Sequence, residues 1–154
     1  MDVLLYGLLV FAADQLSKYI IQMNMEPYES LPILKGIFHI TYVQNTGAAF
    51  SILRGKTYFF TIVSFAIILA IIFFIRKISP EKRLLRFVMA LVLGGAAGNL
   101  VDRLRFGYVV DFFDFRIWPV FNIADSAIVV GVIILAYIIA FDAGFSGQYG
   151  KSGR

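Results

Sequence analysis

Polar and apolar positions alternate along this chain in long blocks, with four apolar runs separated by polar connections. About 20 mostly apolar residues cross a bilayer as a helix, and residues 3–23, 58–75, 84–101 and 119–141 qualify. The second run, T-I-V-S-F-A-I-I-L-A-I-I-F-F-I, is uniformly apolar and predicts a lipid-facing scaffold. The other three carry polar residues inside them. Within the long connection 24–57, K-G-I-F-H-I-T-Y-V is rich in β-branched and aromatic residues, as a short strand is. Y-V-V-D-F-F-D-F in the connection 102–118 has the same character, and the two are expected to pair. The expected fold is an all-α membrane protein of one integral membrane domain. It has four transmembrane helices, a small β-rich extracytoplasmic region at the outer membrane surface, and a disordered tail over about residues 145–154.

Composition supports this reading. A chain of 154 residues that is 60% hydrophobic, with mean hydropathy +0.81, has too much apolar surface for one soluble core. Cysteine is absent, which excludes disulfides, thiolate catalysis and cysteine metal sites, and His39 is the single histidine. Met1-Asp2 supplies no basic region, so the first apolar run is expected to be retained rather than removed. The net charge of +4 is read as orienting the chain, with no nucleic-acid partner. Arg76, Lys77, Lys82, Arg83 and Arg86 crowd the connection between the second and third runs, and Lys and Arg prefer the cytoplasmic side. Both termini then lie in the cytoplasm and the other two connections outside. Arg103, Arg105 and Arg116 sit there against the rule, which predicts local work such as pairing with acids or lipid phosphates.

At a rise of about 1.5 Å per residue, Asp14 and Lys18, Asn99 and Asp102, and Asn122 and Asp125 converge on the outer leaflet level. Each pair is spaced by three or four residues and so shares a helix face. Carboxylates near hydrocarbon usually face a cavity or a partner. With no cysteine and one loop histidine, two carboxylates sharing a proton are the remaining hydrolytic chemistry, one as base toward water and the other as acid toward the scissile carbonyl. Asp111 and Asp125 are the expected pair. Neither a metal nor a cofactor is expected.

D-Q-L-S-K (14–18), N-T-G-A-A-F (45–50), G-G-A-A-G-N-L-V-D-R (94–103), V-V-D-F (109–112) and F-N-I-A-D-S (121–126) together resemble the motif set of lipoprotein signal peptidase, the signal peptidase II family. The resemblance covers nearly the whole chain in order. It implies a bacterial inner-membrane aspartic protease that cuts prolipoproteins before a diacylglyceryl-modified cysteine and is inhibited by the cyclic lipopeptide globomycin. It assigns Asp111 and Asp125 as the catalytic dyad. By the same resemblance Asn45, Gly47, Asn99, Asp102, Arg103, Asn122 and Ala124 line or brace the pocket, and Asp14 and Lys18 support its membrane side. A monomer in contact with membrane lipid is expected. Gln44 stands where many members have Arg, and the connection from Asp111 to Asp125 looks short for the family.

Blander readings stand beside these. Asp14 with Lys18 is equally readable as a structural ion pair, and Asp102 beside Arg103 as helix-end support. Asp114 reads as a solvated loop acid or a partner for Arg116, His39 as a surface residue, and Phe112, Phe113, Phe115 and Trp118 as an interfacial aromatic belt. The alternative functions are a proton-coupled transporter or ion-pathway subunit, and a scaffold subunit. A transporter predicts a midplane site and inverted repeats, and the sequence contains no visible repeat.

Overall fold

The computed structural model describes residues 2–47 and 56–149. Ala48, Ala49 and Phe50 of the N-T-G-A-A-F motif, and residues 150–154 of the tail, lie outside them. The elements are α1 (Asp2–Asn24), β1 (Ser30–Leu34), β2 (Phe38–Asn45), α2 (Thr57–Ile75), α3 (Arg83–Phe106), β3 (Val109–Asp114) and α4 (Ile123–Tyr149). All four helices are long and apolar enough to cross a membrane. Helix α4 starts later than the apolar run, at the Asn122 cap, and continues through residues 145–149, where the sequence suggested disorder.

Helix α3 is the centre of the bundle, with α1, α2 and α4 packed against it. Its buried positions are mostly small, namely Ala90, Gly94, Gly95, Ala96 and Gly98. Between helices in lipid, association comes from close van der Waals packing rather than from the hydrophobic effect, so small residues are what the contact needs. Gly94 lies against the Gly7 carbonyl and Val10, Gly95 against Ala124, and Gly98 against the Asp14 carboxylate. Large side chains such as Leu4, Leu8, Phe65 and Ile133 are exposed, as expected of a lipid-facing surface.

Gly98→Ala should therefore destabilise the bundle. Alanine favours a helix over glycine by about 1 kcal/mol, but a Cβ here would collide with an Asp14 carboxylate held by three partners. Overpacking of this kind costs about 1–3 kcal/mol, so a lower melting temperature in detergent is expected. An unchanged or raised value would show that Asp14 can yield.

Helix α3 runs beyond residue 101 because Asp102 turns inward and is buried. Gly107, at φ 80°, closes the helix with its N–H on the Arg103 carbonyl. Arg103 and Arg105 thus belong to its last turns rather than to a loop. At the opposite end of the bundle, Arg86 donates to the carbonyls of Ile75, the last residue of α2, and of Ile78 just beyond it, so one orienting cation also satisfies a helix end.

The strands form an antiparallel sheet in the order β1-β2-β3 at one end of the bundle. Strands β2 and β3 are the two legible in the sequence. Strand β1 was not, because Pro32 argues against a ladder position; as the edge strand it tolerates the missing donor. Asp114 is not solvated. It is buried on β3 and accepts from Thr41 at 2.7 Å and from the Arg116 backbone and guanidinium at 2.9 Å each. Burial alone would raise its pKa, but these donors and the Arg116 charge hold it below the usual carboxylate range. The phenylalanines are not simply a belt either: Phe112 is buried, and Phe113 and Phe115 pack with Phe38 and Phe121.

Candidate active site

The chain leaves β3, turns, and returns so that Phe113 and Phe121 pair by backbone hydrogen bonds. This compact return sets Asn122 at the start of α4, directly beside β3. There the Asn122 Oδ1 accepts the Asp125 N–H at 2.8 Å, and the Asp125 Oδ2 accepts the Asn122 N–H at 3.4 Å. Such a reciprocal capping box satisfies two free helix donors and fixes the rotamers of both side chains. The local sequence N-I-A-D is therefore a helix start and a carboxylate holder at once.

Asn122 also joins the two aspartates. Its Nδ2 donates to Asp111 Oδ1 at 2.7 Å, and reaches the Asn99 Oδ1 and the Val110 carbonyl at 3.2 and 3.3 Å. Asn45 donates to the other Asp111 oxygen at 2.8 Å. That contact follows from the sheet register: Asn45 faces Val109 and Val43 faces Asp111, so Asn45 and Asp111 are diagonal neighbours on one face. Asn99 of α3 donates to Asp125 Oδ1 at 2.8 Å. Three asparagines thus direct amide donors at two carboxylates.

Beneath this layer lies a buried ion network. Lys18 contacts Asp14 at 2.8 Å, Asp102 at 2.9 Å and the Asn99 oxygen at 3.0 Å. Asp102 accepts from the Val110 N–H at 3.1 Å and from Gln15 at 2.9 Å, tying α3 to β3 and α1. Asp14 accepts the Ala124 N–H at 2.9 Å, so an acid on α1 holds a free donor at the start of α4. The ion pair of Asp14 and Lys18 is thus part of one buried network that includes Asn99, Asp102 and the start of α4.

Asp111 is buried and Asp125 half-buried, and both open into a cavity of about 580 Å³. Asn45, Gly47 and Arg103 line it on the polar side, with Phe60 of α2 and Ile128, Val129 and Val130 of α4 on the apolar side. The Gly47 N–H caps the Asn45 oxygen at 2.9 Å, orienting that amide. Burial pushes the Asp111 carboxyl well above the usual carboxylate range, and the neighbouring Asp125 charge pushes the same way. The amides of Asn45 and Asn122 and the Lys18 charge offset part of this. The arrangement can hold one proton between two carboxylates beside an apolar cleft.

The candidate site residues read from the sequence fall in this region. Asp111, Asp125, Asn45, Gly47 and Arg103 face the cavity; Asn99, Asp102, Asn122, Ala124, Asp14 and Lys18 stand behind it. Sequence reasoning missed Ser64 and Phe60 of α2, which contact Arg103. The Ser64 hydroxyl inside T-I-V-S-F-A, one turn from Phe60, was the available signal. Gln44 is accommodated by the hydroxyls of Tyr42 and Tyr108, to which it donates at 3.3 and 3.1 Å. Among the described residues, no group of His, Cys, Asp and Glu is gathered so as to hold a metal ion.

Residues 6–141 match the family model described as signal peptidase (SPase) II. The chain is 55% identical over 148 residues to the lipoprotein signal peptidase of Moorella thermoacetica, covering 96% of this chain and 99% of that one. It is 43% identical over 142 residues to that of Bacillus subtilis, covering 90% and 92%. A bacterial membrane enzyme solved by the in meso method at 2.3 Å resolution superposes with a TM-score of 0.85 at 36% identity, covering 99% of this chain and 94% of that one. With four spanning helices and a match over nearly its whole length, the chain belongs to the signal peptidase II family and is a multi-pass membrane protease.

Proposed function

We propose that this protein is an aspartic endopeptidase that removes signal peptides from prolipoproteins, cutting before a diacylglyceryl-modified cysteine, with Asp111 and Asp125 as its dyad. The observation that carries this reading is the opening of both carboxylates into one largely apolar cavity, each held by asparagine amides. One carboxylate takes a proton from water as the oxygen attacks the scissile carbonyl, while the protonated partner donates to the carbonyl oxygen. The tetrahedral diol then collapses: the C–N bond breaks, the leaving amine takes a proton from one carboxyl, and a diol hydroxyl gives its proton to the other carboxylate. One water is consumed and the dyad is restored.

Asn45, Gly47 and Arg103 bind the substrate backbone in this reading, while Asp14, Lys18, Asn99, Asp102, Asn122 and Ala124 fix the dyad. Phe60 on α2 and Ile128 to Val130 on α4 border the cavity, which suits entry of a lipid-tethered chain from the bilayer. The basic connection between α2 and α3 lies at the end of the bundle away from the sheet. The family resemblance points to the bacterial inner membrane, and the positive-inside rule then supports cytoplasmic termini with the dyad near the outer face. The working form is a monomer, and globomycin occupies the cavity. The gathering of polar groups at one end of the bundle gives no support to a transporter.

The test is cleavage by purified protein in detergent of a prolipoprotein with and without the diacylglyceryl group, followed by mass spectrometry. Cleavage is expected only of the modified chain, at the bond before its cysteine, with suppression by globomycin. Equal cleavage of both forms would overturn the substrate assignment, and cleavage of neither would overturn the activity.

A further inference from the structure

Helix α2 reads as inert scaffold, yet one of its interior positions is polar and buried. Ser64 is buried inside a mostly apolar stretch, and its Oγ accepts from the Arg103 Nη1 at 3.3 Å. Phe60, one turn earlier on the same face, lies under the same guanidinium at 5.5 Å. Together they form a cradle on α2 for a cation that belongs to α3. An arginine at this depth is expensive unless it faces a partner or a cavity, and Arg103 does both. It lines the cavity beside Asp111 and Asp125 and lies within electrostatic reach of both.

Among the described residues, the hydrogen bonds of the guanidinium are both made by Nη1, to Ser64 and, at 3.5 Å, to the Asn99 carbonyl. The Ser64 bond therefore occupies the side of the fork turned to α2 and leaves the other donors for the cavity. A long, flexible side chain without this anchor has many rotamers, and most would turn the charge away from a bound chain. The anchor removes that freedom before the substrate arrives.

We infer that Ser64 is a positioning residue, which with Phe60 holds Arg103 turned into the cavity so that its free donors meet the carbonyls of the bound substrate. The inference rests on the protease reading above. Because Arg103 would hold the substrate backbone equally in the ground and transition states, loss of its anchor should appear in KM rather than kcat.

The test is steady-state cleavage of a diacylglyceryl-modified prolipoprotein peptide by the full-length protein in detergent, comparing wild type with Ser64→Ala, Ser64→Thr and Arg103→Gln, and combining Ser64→Ala with Arg103→Gln. Ser64→Ala should raise KM about tenfold with kcat within about twofold, the scale expected for one hydrogen bond to a charged group. Ser64→Thr should restore KM, since its hydroxyl can accept the same N–H. In the Arg103→Gln background, Ser64→Ala should add nothing, because Ser64 acts through the guanidinium. An unchanged KM in Ser64→Ala, or a full additional loss in the double variant, would overturn the role. So would a fall in kcat and melting temperature that threonine does not rescue. If wild type itself fails to cleave, the protease reading falls; if wild type cleaves and Ser64→Ala matches it, only the positioning role does.

Discussion

Asp111→Asn and Asp125→Asn are each expected to abolish cleavage while leaving the fold intact. General acid and base catalysis contributes about 10² to 10⁴ in rate, and each variant removes one half of a pair that works only together, so kcat should fall by at least that factor. Stability should fall only modestly. Asn122 can still donate to an amide oxygen replacing Asp111 Oδ1, and Asn99 to one replacing Asp125 Oδ1, while the new amide nitrogen faces the Asn45 amide or the Asn122 N–H, a lost hydrogen bond of about 1 kcal/mol. Each change also relieves the mutual repulsion that raises the Asp111 pKa. Wild-type activity should follow a bell-shaped pH profile. Its alkaline limb falls as pH rises through the raised Asp111 pKa and the shared proton is lost. Its acid limb falls as the second carboxylate is protonated. Matched melting temperatures with lost activity support the dyad; retained activity in either variant, or a profile without an alkaline fall, would remove it.

Lys18→Met should behave in the opposite way, losing stability first. Lys18 is buried between Asp14 and Asp102, at 2.8 and 2.9 Å. Removing one partner of a buried ion pair typically costs about 3–5 kcal/mol, because the remaining charge is stranded. Two acids are stranded here. They hold the Ala124 and Val110 N–H groups, so the start of α4 and the root of β3 should loosen together. Unfolding in detergent is the measurement, and a loss under about 1 kcal/mol would contradict the network. Adding Asp14→Asn and Asp102→Asn to Lys18→Met should recover part of the loss, since a neutral hydrogen-bonded set has no charge to desolvate.

These two outcomes separate the layers of the site. The Asp111 and Asp125 layer presents carboxylates at a cavity, and the layer beneath neutralises charge in the interior. Asp111 and Asp14 are both almost fully buried, so burial alone does not distinguish them. Their partners do: asparagine amides at Asp111, and an ammonium group and a helix N–H at Asp14.

The sequence by itself determined the four spans, the strands β2 and β3, and the set of polar residues that meet at one end. Hydrocarbon penalises a stray polar group so heavily that runs of apolar residues, and the few exceptions inside them, are legible without coordinates. Only the tertiary structure decided which donor serves which acceptor. Asn122 links Asp111 and Asp125 because the return from Phe113 to Phe121 sets α4 against β3. Asp14 caps α4 because Gly98 lets α1 approach α3 closely. Strand β1 escaped notice because its proline is tolerated only at an edge, and being an edge is a property of the sheet. Ser64 escaped because a single serine in a mostly apolar helix carries no periodicity, and its meaning comes from an arginine brought to it by a different helix.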